Sequence, residues 1–295
     1  MTAPARPTPR VTVVVMTRNR REQLLHALRR IRELSGPAPL VVVDNGSDDG
    51  TPAAVRREFP AATVVALRKN HGALARTVGV RLARTPYVAF SDDDSWWAPG
   101  ALKTAADHLD QVPRLGLVAA HTLVGPQERP DPLSAVLAAS PLGTEPGLPG
   151  PLVLGFLACA AVVRRDAYLA VGGFHPVVFF LGEETVLAQD LAAAGWRLCY
   201  VDDVVAHHHP RPAGAAGSAR RLARDRLQLR NALLSAWLRR PAGVAAAQTW
   251  RVARRLPDPV AGGALLDAAR RMPRVLAARR RLPPQVEARV RLLER

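Results

Sequence analysis

Apolar runs alternate with amphipathic segments along the first two thirds of the chain. Val11–Thr17 (VTVVVMT) and Leu40–Asp44 (LVVVD) are continuous, largely β-branched runs, which is the pattern of strands buried on both faces. Between them, Arg20–Leu34 has leucine and isoleucine at helical spacing. The same patterns predict further helices at Thr51–Glu58, Ala73–Ala83, Pro99–Leu109 and Glu183–Ala194, and further strands at Ala62–Leu67, Tyr87–Phe90, Leu115–Ala120 and Trp196–Val201. Strands that alternate with helices at this spacing predict an α/β domain with a mostly parallel central sheet flanked by helices.

The alternation stops at Gly125–Gly150, which holds six prolines and four glycines. This composition predicts a long surface loop or lid, and long loops within domains are usually functional. Apolar sequence resumes at Leu152–Val163, a run of 12 residues and the longest in the chain. A bilayer-spanning helix needs roughly 18–20 such residues, so we predict no membrane span.

The last 85 residues have a different character from the body. An amphipathic helix is predicted at 218–240, with Leu222, Leu229, Leu233 and Trp237 on one stripe and arginines over the rest. Further helical segments follow at about 243–256, 260–281 and 285–294, separated by prolines. We therefore predict two regions, a body at 1–210 and a helical C-terminal region at 211–295.

The formal net charge of +16 is unevenly distributed between these regions. Residues 1–210 have a net charge of +1, whereas residues 211–295 have one of +15. A basic segment of this kind favours an anionic partner, such as lipid headgroups or nucleic acid. Interleaved aromatic residues and nucleic-acid recognition motifs are missing, so we expect contact with a membrane surface or a lipid-linked acceptor and no nucleic acid. Coding bias is an alternative explanation, because almost all the basic residues are arginine.

Cysteine usage and the first residues bear on the compartment. Cys159 and Cys199 lie far apart without metal-ligand spacing, which excludes a disulfide scaffold and favours a reducing compartment. The start of the chain, MTAPARPTPR, is polar and proline-rich, so we predict no secretory signal. The expected location is cytoplasmic, peripheral at the inner face of the cell membrane.

Three consecutive aspartates, Asp92–Asp94, directly follow a predicted buried strand. Adjacent carboxylates repel one another unless water or a cation neutralises them. The carboxyl edge of an α/β sheet is where ligands bind, and carboxylate oxygens suit Mg²⁺ or Mn²⁺ bound together with substrate phosphates. The alternative is a solvated turn or helix cap before Pro99.

A second polar segment, Asp44–Thr51 (DNGSDDGT), also follows a strand. Its first carboxylate can accept a hydrogen bond from a nucleotide base or ribose, and its glycines allow close approach of a ligand. The alternative is an ordinary loop with a helix N-cap. The spacings GxGxxG and GxxxxGK[ST] are absent from the sequence, which argues against Rossmann dinucleotide binding and P-loop hydrolysis.

The order of these segments resembles family 2 glycosyltransferases of the GT-A fold, with rhamnosyltransferase-like members the most similar. The resemblance covers about residues 10–210. It rests on the runs VTVVVMTRNR, VVVDNGSDDGT, NHGALARTVGV, YVAFSDDDSWWAPGAL, GGF at 172–174, GEE at 182–184, AGWRLCYV at 194–201 and the late histidine cluster. It implies an inverting, metal-dependent transfer of a sugar from a nucleoside diphosphate donor to a hydroxyl acceptor.

The resemblance also implies roles for individual residues. Asp92 and Asp94 match the DxD metal motif, with Asp94 the direct ligand and Asp93 near the ribose or sugar. Residues implied in binding the nucleotide and donor are Thr17, Arg18, Asn19, Asp44, Asn70, Gly72, Arg76, Asp92 and Asp93. The chain departs from the family at Thr77, where asparagine is common, so a contact there is in doubt.

The acidic pair Glu183-Glu184 supplies the candidate catalytic base. Glu184 stands at the family's base position, and Glu183 is the adjacent rival; both also suit the first turn of a helix. One carboxylate that removes the acceptor proton and a cation that stabilises the leaving phosphate are sufficient for direct inverting attack.

Two clusters of aromatic residues each allow more than one role. The triplet His207–His209 could complete the metal shell or contact the diphosphate, but consecutive strand residues point to opposite faces and cannot all converge on one ion. We expect His207 to lie at the metal, with His209 as the second choice. The alternative is that the histidines belong to a solvated loop. Trp96 and Trp97 either stack on sugar rings or pack the segment after the aspartates.

The expected acceptor is a polysaccharide, a lipid-linked glycan or a small molecule, as in bacterial cell-envelope glycan synthesis. We expect acceptor choice to reside in Gly125–Gly150 and in the C-terminal helices. Two alternatives use the same features: a nucleotidyltransferase of related α/β architecture, and a non-catalytic transferase-like scaffold at a membrane surface.

Overall fold

The computed structural model describes residues 8–34, 38–210 and 217–294. The strands are β1 (Val11–Thr17), β2 (Leu40–Asp44), β3 (Thr63–Ala66), β4 (Tyr87–Asp92), β5 (Ser95–Trp97), β6 (Leu115–Val124), β7 (Arg129–Pro130), β8 (Ala161–Arg164) and β9 (Arg197–His208). The helices of the body are α1 (Arg21–Leu34), α2 (Thr51–Glu58), α3 (Leu74–Leu82), α4 (Ala101–Gln111), α5 (Pro132–Ala138), α6 (Arg165–Ala170) and α7 (Glu183–Ala193). Four more helices follow: α8 (Gly217–Arg239), α9 (Ala242–Ala253), α10 (Pro259–Ala277) and α11 (Pro284–Leu293).

The strands form one sheet in the order β3-β2-β1-β4-β8-β6-β9-β5, with β7 paired to β6. Strands β3, β2, β1 and β4 are parallel neighbours, and β6 is parallel to β9. Strand β8 lies between β4 and β6 and is antiparallel to both. The predicted α/β class with a mostly parallel sheet is confirmed, and β8 makes the sheet mixed.

The sheet is covered on both faces, which explains why its central strands are apolar without alternation. In β1, Val13 and Val15 pack against α1, α2 and α4, whereas Val14 packs against the opposite cluster, which includes α3, α6 and α7. All three valines are fully buried. Burying a side chain of this size contributes about 1.5–3 kcal/mol, so both helical layers stabilise the strand that leads into the candidate site.

Most predicted elements are present, with ends that differ by up to four residues, but three segments differ more. Gly125–Gly150 is not one long loop, since it contains β7 and α5. Helix α5 begins where the Asp131 side chain accepts a hydrogen bond from the Leu133 N–H at 2.8 Å, with Pro132 in the first helical turn. The strand predicted at Trp196–Val201 continues to His208, because β6 pairs with it across a bulge. In Leu152–Val163, only the end is strand.

The C-terminal helices pack on one another and on the body. Leu233, Leu234 and Leu238 of α8 form a cluster with Val186 of α7 and with α9 and α10. The predicted boundary between the two regions falls at 210 and 211, and residues 211–216 lie outside the described ranges, as do the first seven residues. Within the described part of the chain, every helix is too short or too polar to cross a bilayer.

Candidate functional site

Three polar residues lie together where adjacent parallel strands end. The register pairs Thr17 of β1 with Asp44 of β2, and Met16 of β1 with Asp92 of β4. Parallel strands end at the same edge of the sheet, and ligands of α/β proteins bind at this edge. The two acidic segments that the sequence separates by about 40 residues are thus brought to one edge.

Asp44 is buried and has an oxygen free for a ligand. Its Oδ2 atom accepts a hydrogen bond from the Ser47 N–H at 3.0 Å, whereas Oδ1 has no partner among the described residues. A buried acceptor left without a donor costs about 1–3 kcal/mol. This oxygen therefore suits a ligand that brings an N–H or O–H donor, such as a nucleotide base.

The loops beside Asp44 hold one another in place. The Asn19 N–H donates to Ser47 Oγ at 2.8 Å, and Asn19 Oδ1 accepts from the Asp48 N–H at 3.0 Å. Arg18 is exposed and its Nε atom lies 3.5 Å from the Gly46 carbonyl oxygen. Arg18 and Asn19 therefore line the same edge as Asp44.

The segment at residues 70–73 approaches the backbone before α7 closely. Asn70 Oδ1 accepts a hydrogen bond from the Gly72 N–H at 2.9 Å, and the Ala73 N–H donates to the Phe179 carbonyl at 2.8 Å. Gly72 has a φ of 60°, and a Cβ atom there would lie 2.0 Å from the Phe179 carbonyl oxygen. Only glycine fits this position, and it joins the segment to the loop that precedes Glu183.

Each of the three consecutive aspartates has a cationic neighbour. One guanidinium nitrogen of Arg20, Nη1, lies 2.7 Å from Asp93 Oδ1 and 2.8 Å from Asp94 Oδ2. Arg76 Nη2 lies 2.5 Å from Asp92 Oδ1. These contacts explain how three adjacent carboxylates are stable at a largely buried position.

The aspartates nevertheless differ in their acidity. Burial raises the pKa of Asp93 to about 6, against the opposing effect of Arg20, and Asp93 also accepts a hydrogen bond from Thr17 Oγ1 at 3.0 Å. Burial acts in the same direction on Asp94, but His208 and Arg20 outweigh it, so the pKa of Asp94 is lowered. Asp94 is therefore the more firmly ionised of the two, as a metal ligand must be.

The donor set fits a divalent cation that is bound together with a substrate. In the described part of the chain, no group of three or more histidine, cysteine, aspartate or glutamate side chains is arranged as a complete metal site. Mg²⁺ and similar ions usually take only one or two carboxylates from the protein and complete their shell with water and phosphate oxygens. Asp92 and Asp94 supply that number, provided that the arginines on them move aside.

Arg76 connects the aspartates to the two glutamates. It is 1% exposed, and its Nη1 atom lies 3.6 Å from Glu183 Oε1. Glu183 is also 1% exposed, and its Oε2 atom has no hydrogen-bond partner within the described ranges. Burial and the neighbouring Glu184 raise the pKa of Glu183 to about 8.

Glu184 is partly exposed, unlike Glu183, and stands on the same first turn of α7. Burial of its carboxyl group raises its pKa, against the effects of backbone hydrogen bonds and of Arg76. A carboxylate with a raised pKa on a partly exposed residue is suited to accept a proton from a substrate hydroxyl. The structure thus distinguishes two glutamates that the sequence leaves nearly equivalent.

The histidine that lies beside the aspartates is His208 rather than the expected His207. His208 Nε2 lies 3.5 Å from Asp94 Oδ1, and this contact raises the pKa of His208 against the effect of burial. His207 lies 3.2 Å from Glu128 instead and stacks on Trp96 with 5.7 Å between ring centroids. Successive side chains at the end of β9 alternate between faces, so the structure brings His208 rather than His207 next to Asp94.

Both tryptophans after the aspartates are packed inside the protein. Trp96 is 3% exposed and Trp97 is fully buried, both on β5, which pairs with β9. Trp96 also contacts His209, with ring centroids 4.5 Å apart. The packing interpretation is therefore correct for both, and their rings are not available to stack on a sugar.

Two residues at this edge were not predicted from the sequence, Arg20 and Asn45. Arg20 comes three residues after Thr17, the end of β1, and this place in the sequence is the signal that could have identified it. Asn45 Oδ1 accepts a hydrogen bond from the His71 N–H at 2.8 Å, and its Nδ2 atom donates to the Gly72 carbonyl at 3.0 Å. It fixes the segment at 70–73 against the end of β2.

Comparison with known families and proteins gives a consistent result. The family model described as Glycosyl transferase family 2 matches residues 12–172. N-acetylglucosaminyl-diphospho-decaprenol L-rhamnosyltransferase of Mycobacterium tuberculosis is 26% identical in an alignment of 210 positions that covers 59% of this chain and 67% of that protein. Pre-mycofactocin glycosyltransferase of the same organism is 32% identical in an alignment of 214 positions that covers 68% of this chain but only 43% of that protein.

Solved structures agree on the fold. The mannosyltransferase PcManGT of Pyrobaculum calidifontis, in complex with GDP-Man and Mn²⁺, superposes with a TM-score of 0.61 at 25% identity and covers 97% of this chain and 86% of its own. S. aureus TarS 1–349 in complex with UDP-GlcNAc gives a TM-score of 0.58 at 16% identity, over 95% of this chain and 83% of its own. The second similarity is informative for the fold alone.

Proposed function

This chain belongs to glycosyl transferase family 2, and we propose that it transfers a sugar from a nucleoside diphosphate donor to a hydroxyl acceptor, with inversion and with Mg²⁺ or Mn²⁺. The family that the sequence motifs predict is confirmed by the match over residues 12–172. Nucleotide-sugar glycosyl transfer is accordingly its activity, in preference to nucleotidyl transfer or a non-catalytic scaffold. Metal dependence, inversion and the acceptor class are the proposed parts.

Asp92 and Asp94 are the residues that would hold the metal. When bound, a divalent cation stabilises the negative charge that develops on the leaving diphosphate. Asp93 accepts the Thr17 hydroxyl at 3.0 Å and so keeps the end of β1 in register with the aspartates. Asp44 supplies the free acceptor for the base, and Asn70, Gly72 and Arg18 border the nucleotide.

Arg20 and Arg76 have a second role once a donor is present. Both guanidinium groups lie within 2.8 Å of the carboxylates that would hold the metal. A cation bound to Asp92 and Asp94 would neutralise these carboxylates and release the arginines for the diphosphate. Arginine is well suited to this exchange because its planar group binds carboxylate and phosphate in the same way.

Glu184 is the proposed base that removes the proton of the acceptor hydroxyl as the hydroxyl attacks the anomeric carbon. The single observation that supports this role is the contrast on one helical turn. Glu184 is a partly exposed residue without an ion pair within 4.0 Å among the described residues, whereas Glu183 is 1% exposed and lies 3.6 Å from Arg76. Direct attack on the side opposite the leaving diphosphate gives inversion and needs only this one base.

The acceptor class is proposed from the relatives and from the charge of the C-terminal helices. The rhamnosyltransferase relative is named for a lipid-linked diphosphate acceptor, N-acetylglucosaminyl-diphospho-decaprenol. The C-terminal region carries most of the positive charge of the chain. We infer a hydroxyl on a lipid-linked glycan as the acceptor.

The test starts from a panel of nucleotide sugars with Mn²⁺ or Mg²⁺, read by thermal stabilisation and by slow donor hydrolysis. With the donor so identified, Glu184→Gln should lower the transfer rate about 10²–10⁴-fold, because a general base contributes that much. Donor binding should be unchanged. The product should be a nucleoside diphosphate together with a glycoside of inverted configuration, seen by NMR.

The matched control is Glu22→Gln, which makes the same change at an exposed position on α1. Release of pyrophosphate, full transfer by the Glu184→Gln variant, or full transfer in excess chelator would each contradict part of the proposal. The first concerns the reaction, the second the base and the third the metal.

A further inference from the structure

Helices α8 and α10 enclose a cavity outside the site described above. Its volume is about 580 Å³, which is within the range of small-molecule sites. The apolar residues of its wall are Leu222, Ala223, Leu227, Pro259 and Val260, and the charged ones are Arg226, Arg230, Asp258 and Asp267. The cavity therefore combines an apolar wall with charged groups.

Arg230 is the cation of this cavity that forms no ion pair with the residues that the structure describes. It is 6% exposed, and its guanidinium donates to Asn231 Oδ1 at 3.0 and 2.7 Å. Within the described ranges, no carboxylate lies within 4.0 Å of it. Burial together with Arg271 lowers its pKa to about 10, which leaves it charged at neutral pH.

The carboxylates of the cavity wall are already engaged by other arginines. Asp267 lies 2.7 Å from Arg226 and 3.6 Å from Arg270, and Asp258 lies 3.1 Å from Arg255. A buried charge without a partner is costly unless a ligand compensates it. Because both aspartates of the wall are paired with other arginines, Arg230 is left as an uncompensated cation in the cavity, which fits an anion.

We propose that this cavity binds an isoprenoid diphosphate, with the phosphate on Arg230 and the hydrocarbon along Leu222, Leu227 and Val260. This would be the anionic anchor of the acceptor, so the inference rests on the proposed function. A free phosphate would gain nothing from the apolar wall. The wall also opens outward, since Leu222 is 54% exposed.

The cavity is connected to the proposed base by one side chain. Asn231, next to Arg230, donates from Nδ2 to the carbonyl oxygens of Phe180 and Leu181, both at 2.6 Å. These two residues directly precede Gly182 and the glutamates of α7. An acceptor held at Arg230 would thus bind beside the segment that positions Glu184.

The experiment measures binding of farnesyl diphosphate, inorganic pyrophosphate and farnesol to the full chain by calorimetry in EDTA. Farnesyl diphosphate should bind more tightly than either of the other two probes. Arg230→Met should weaken its binding at least about tenfold. Leu222→Gln changes an exposed residue and should not disturb folding. It should weaken the binding of farnesyl diphosphate and leave the binding of pyrophosphate unchanged.

The matched control is Arg251→Met, which removes the same charge from an exposed position on α9. Equal binding by the Arg230→Met and Arg251→Met variants would overturn the inference, as would binding of pyrophosphate as tight as that of farnesyl diphosphate. Thermal unfolding of each variant confirms folding. Donor hydrolysis by the wild type and by the Arg251→Met variant, with Mn²⁺ and without any acceptor, tests the proposed function separately. Its absence would count against the transferase activity, whereas weak farnesyl diphosphate binding together with normal hydrolysis would count against the cavity alone.

Discussion

At the scale of single residues, the candidate site consists of charged groups that neutralise one another before any ligand arrives. Asp92, Asp93 and Asp94 are held by Arg20, Arg76 and His208, so a cluster that would repel itself in isolation is stable. In the proposed reaction, a metal ion would replace the arginines on the carboxylates, and the diphosphate of the donor would bind the arginines.

Glu183 gives a prediction for the pH dependence of stability. Its pKa is raised to about 8 by burial and by Glu184, so the folded protein holds this proton at pH values where the unfolded chain has released it. Stability from this group is therefore fully present below about pH 4.5, the ordinary value, and is lost as the pH rises towards 8. Glu183→Gln keeps the side chain neutral, so the melting temperature of the variant relative to the wild type should increase from pH 5 to pH 9.

The expected relative gain is at least about 1 kcal/mol, which corresponds to about 2–4 °C for a domain of this size. Thermal unfolding at a series of pH values measures it, with Glu22→Gln as the exposed control. Parallel curves for the wild type and the Glu183→Gln variant would show that Glu183 is ionised in the folded protein.

At the scale of elements, helix α8 contributes to the catalytic body as well as to its own bundle. Arg239 binds Asp190 of α7 through two hydrogen bonds, at 2.5 and 2.8 Å. Asn231 binds the backbone before α7, and Leu233 and Leu234 pack with Val186. The helix that carries the proposed base is thus held from the C-terminal side.

Asn231→Ala tests this connection. It leaves two carbonyl groups without their donors, which should cost about 2–4 kcal/mol of unfolding free energy. It should also lower the transfer rate about tenfold while donor binding is kept, because the segment before Glu184 loses its support. Urea unfolding and initial rates measure the two effects, with Gln228→Ala as an exposed control on the same helix. A loss of stability without a change in rate would limit Asn231 to a structural role.

At the scale of the whole molecule, part of the positive charge of the C-terminal region is used internally. Arg240 lies between Glu287 and Glu294, and Arg226 binds Asp267. Arginines that remain exposed include Arg251, Arg254 and Arg274. These are the groups available to an anionic surface.

We expect the full chain to bind anionic lipid vesicles and to be released by salt. Each exposed arginine near such a surface contributes about 1 kcal/mol, so changing Arg251, Arg254 and Arg274 to glutamine should weaken binding on the order of 100-fold. Co-sedimentation with vesicles containing phosphatidylglycerol, at low salt and at about 0.5 M NaCl, measures it. Equal binding to neutral vesicles would argue against an electrostatic contact. Substitutions are preferable to a chain that ends near Pro210, because removal of α8 would expose Val178 and Val186, which pack against it.

The local pattern of apolar and polar residues was sufficient to predict much of the fold of this protein. The β-branched runs and helical spacings predict β1, α1, β2, α2 and α7 nearly to the residue, because burial on both sheet faces leaves a direct mark on the sequence. The spacing of the acidic segments after their strands predicts which edge of the sheet is functional, and together with the other motifs it predicts the family, which is confirmed. The α/β class is confirmed in the same way.

Tertiary structure alone decided the features that depend on contacts between distant parts of the chain. The antiparallel position of β8 depends on two strands about 40–70 residues away, and the choice of His208 over His207 depends on the register of β9 with β5. Arg20 and Arg230 differ from other arginines only in what surrounds them. Arg20 lies against carboxylates 73 and 74 residues away, and Arg230 is buried without a carboxylate of the described residues within 4.0 Å. Sequence shows which residues can be charged or buried, but the energy of a charge depends on the groups that folding places around it.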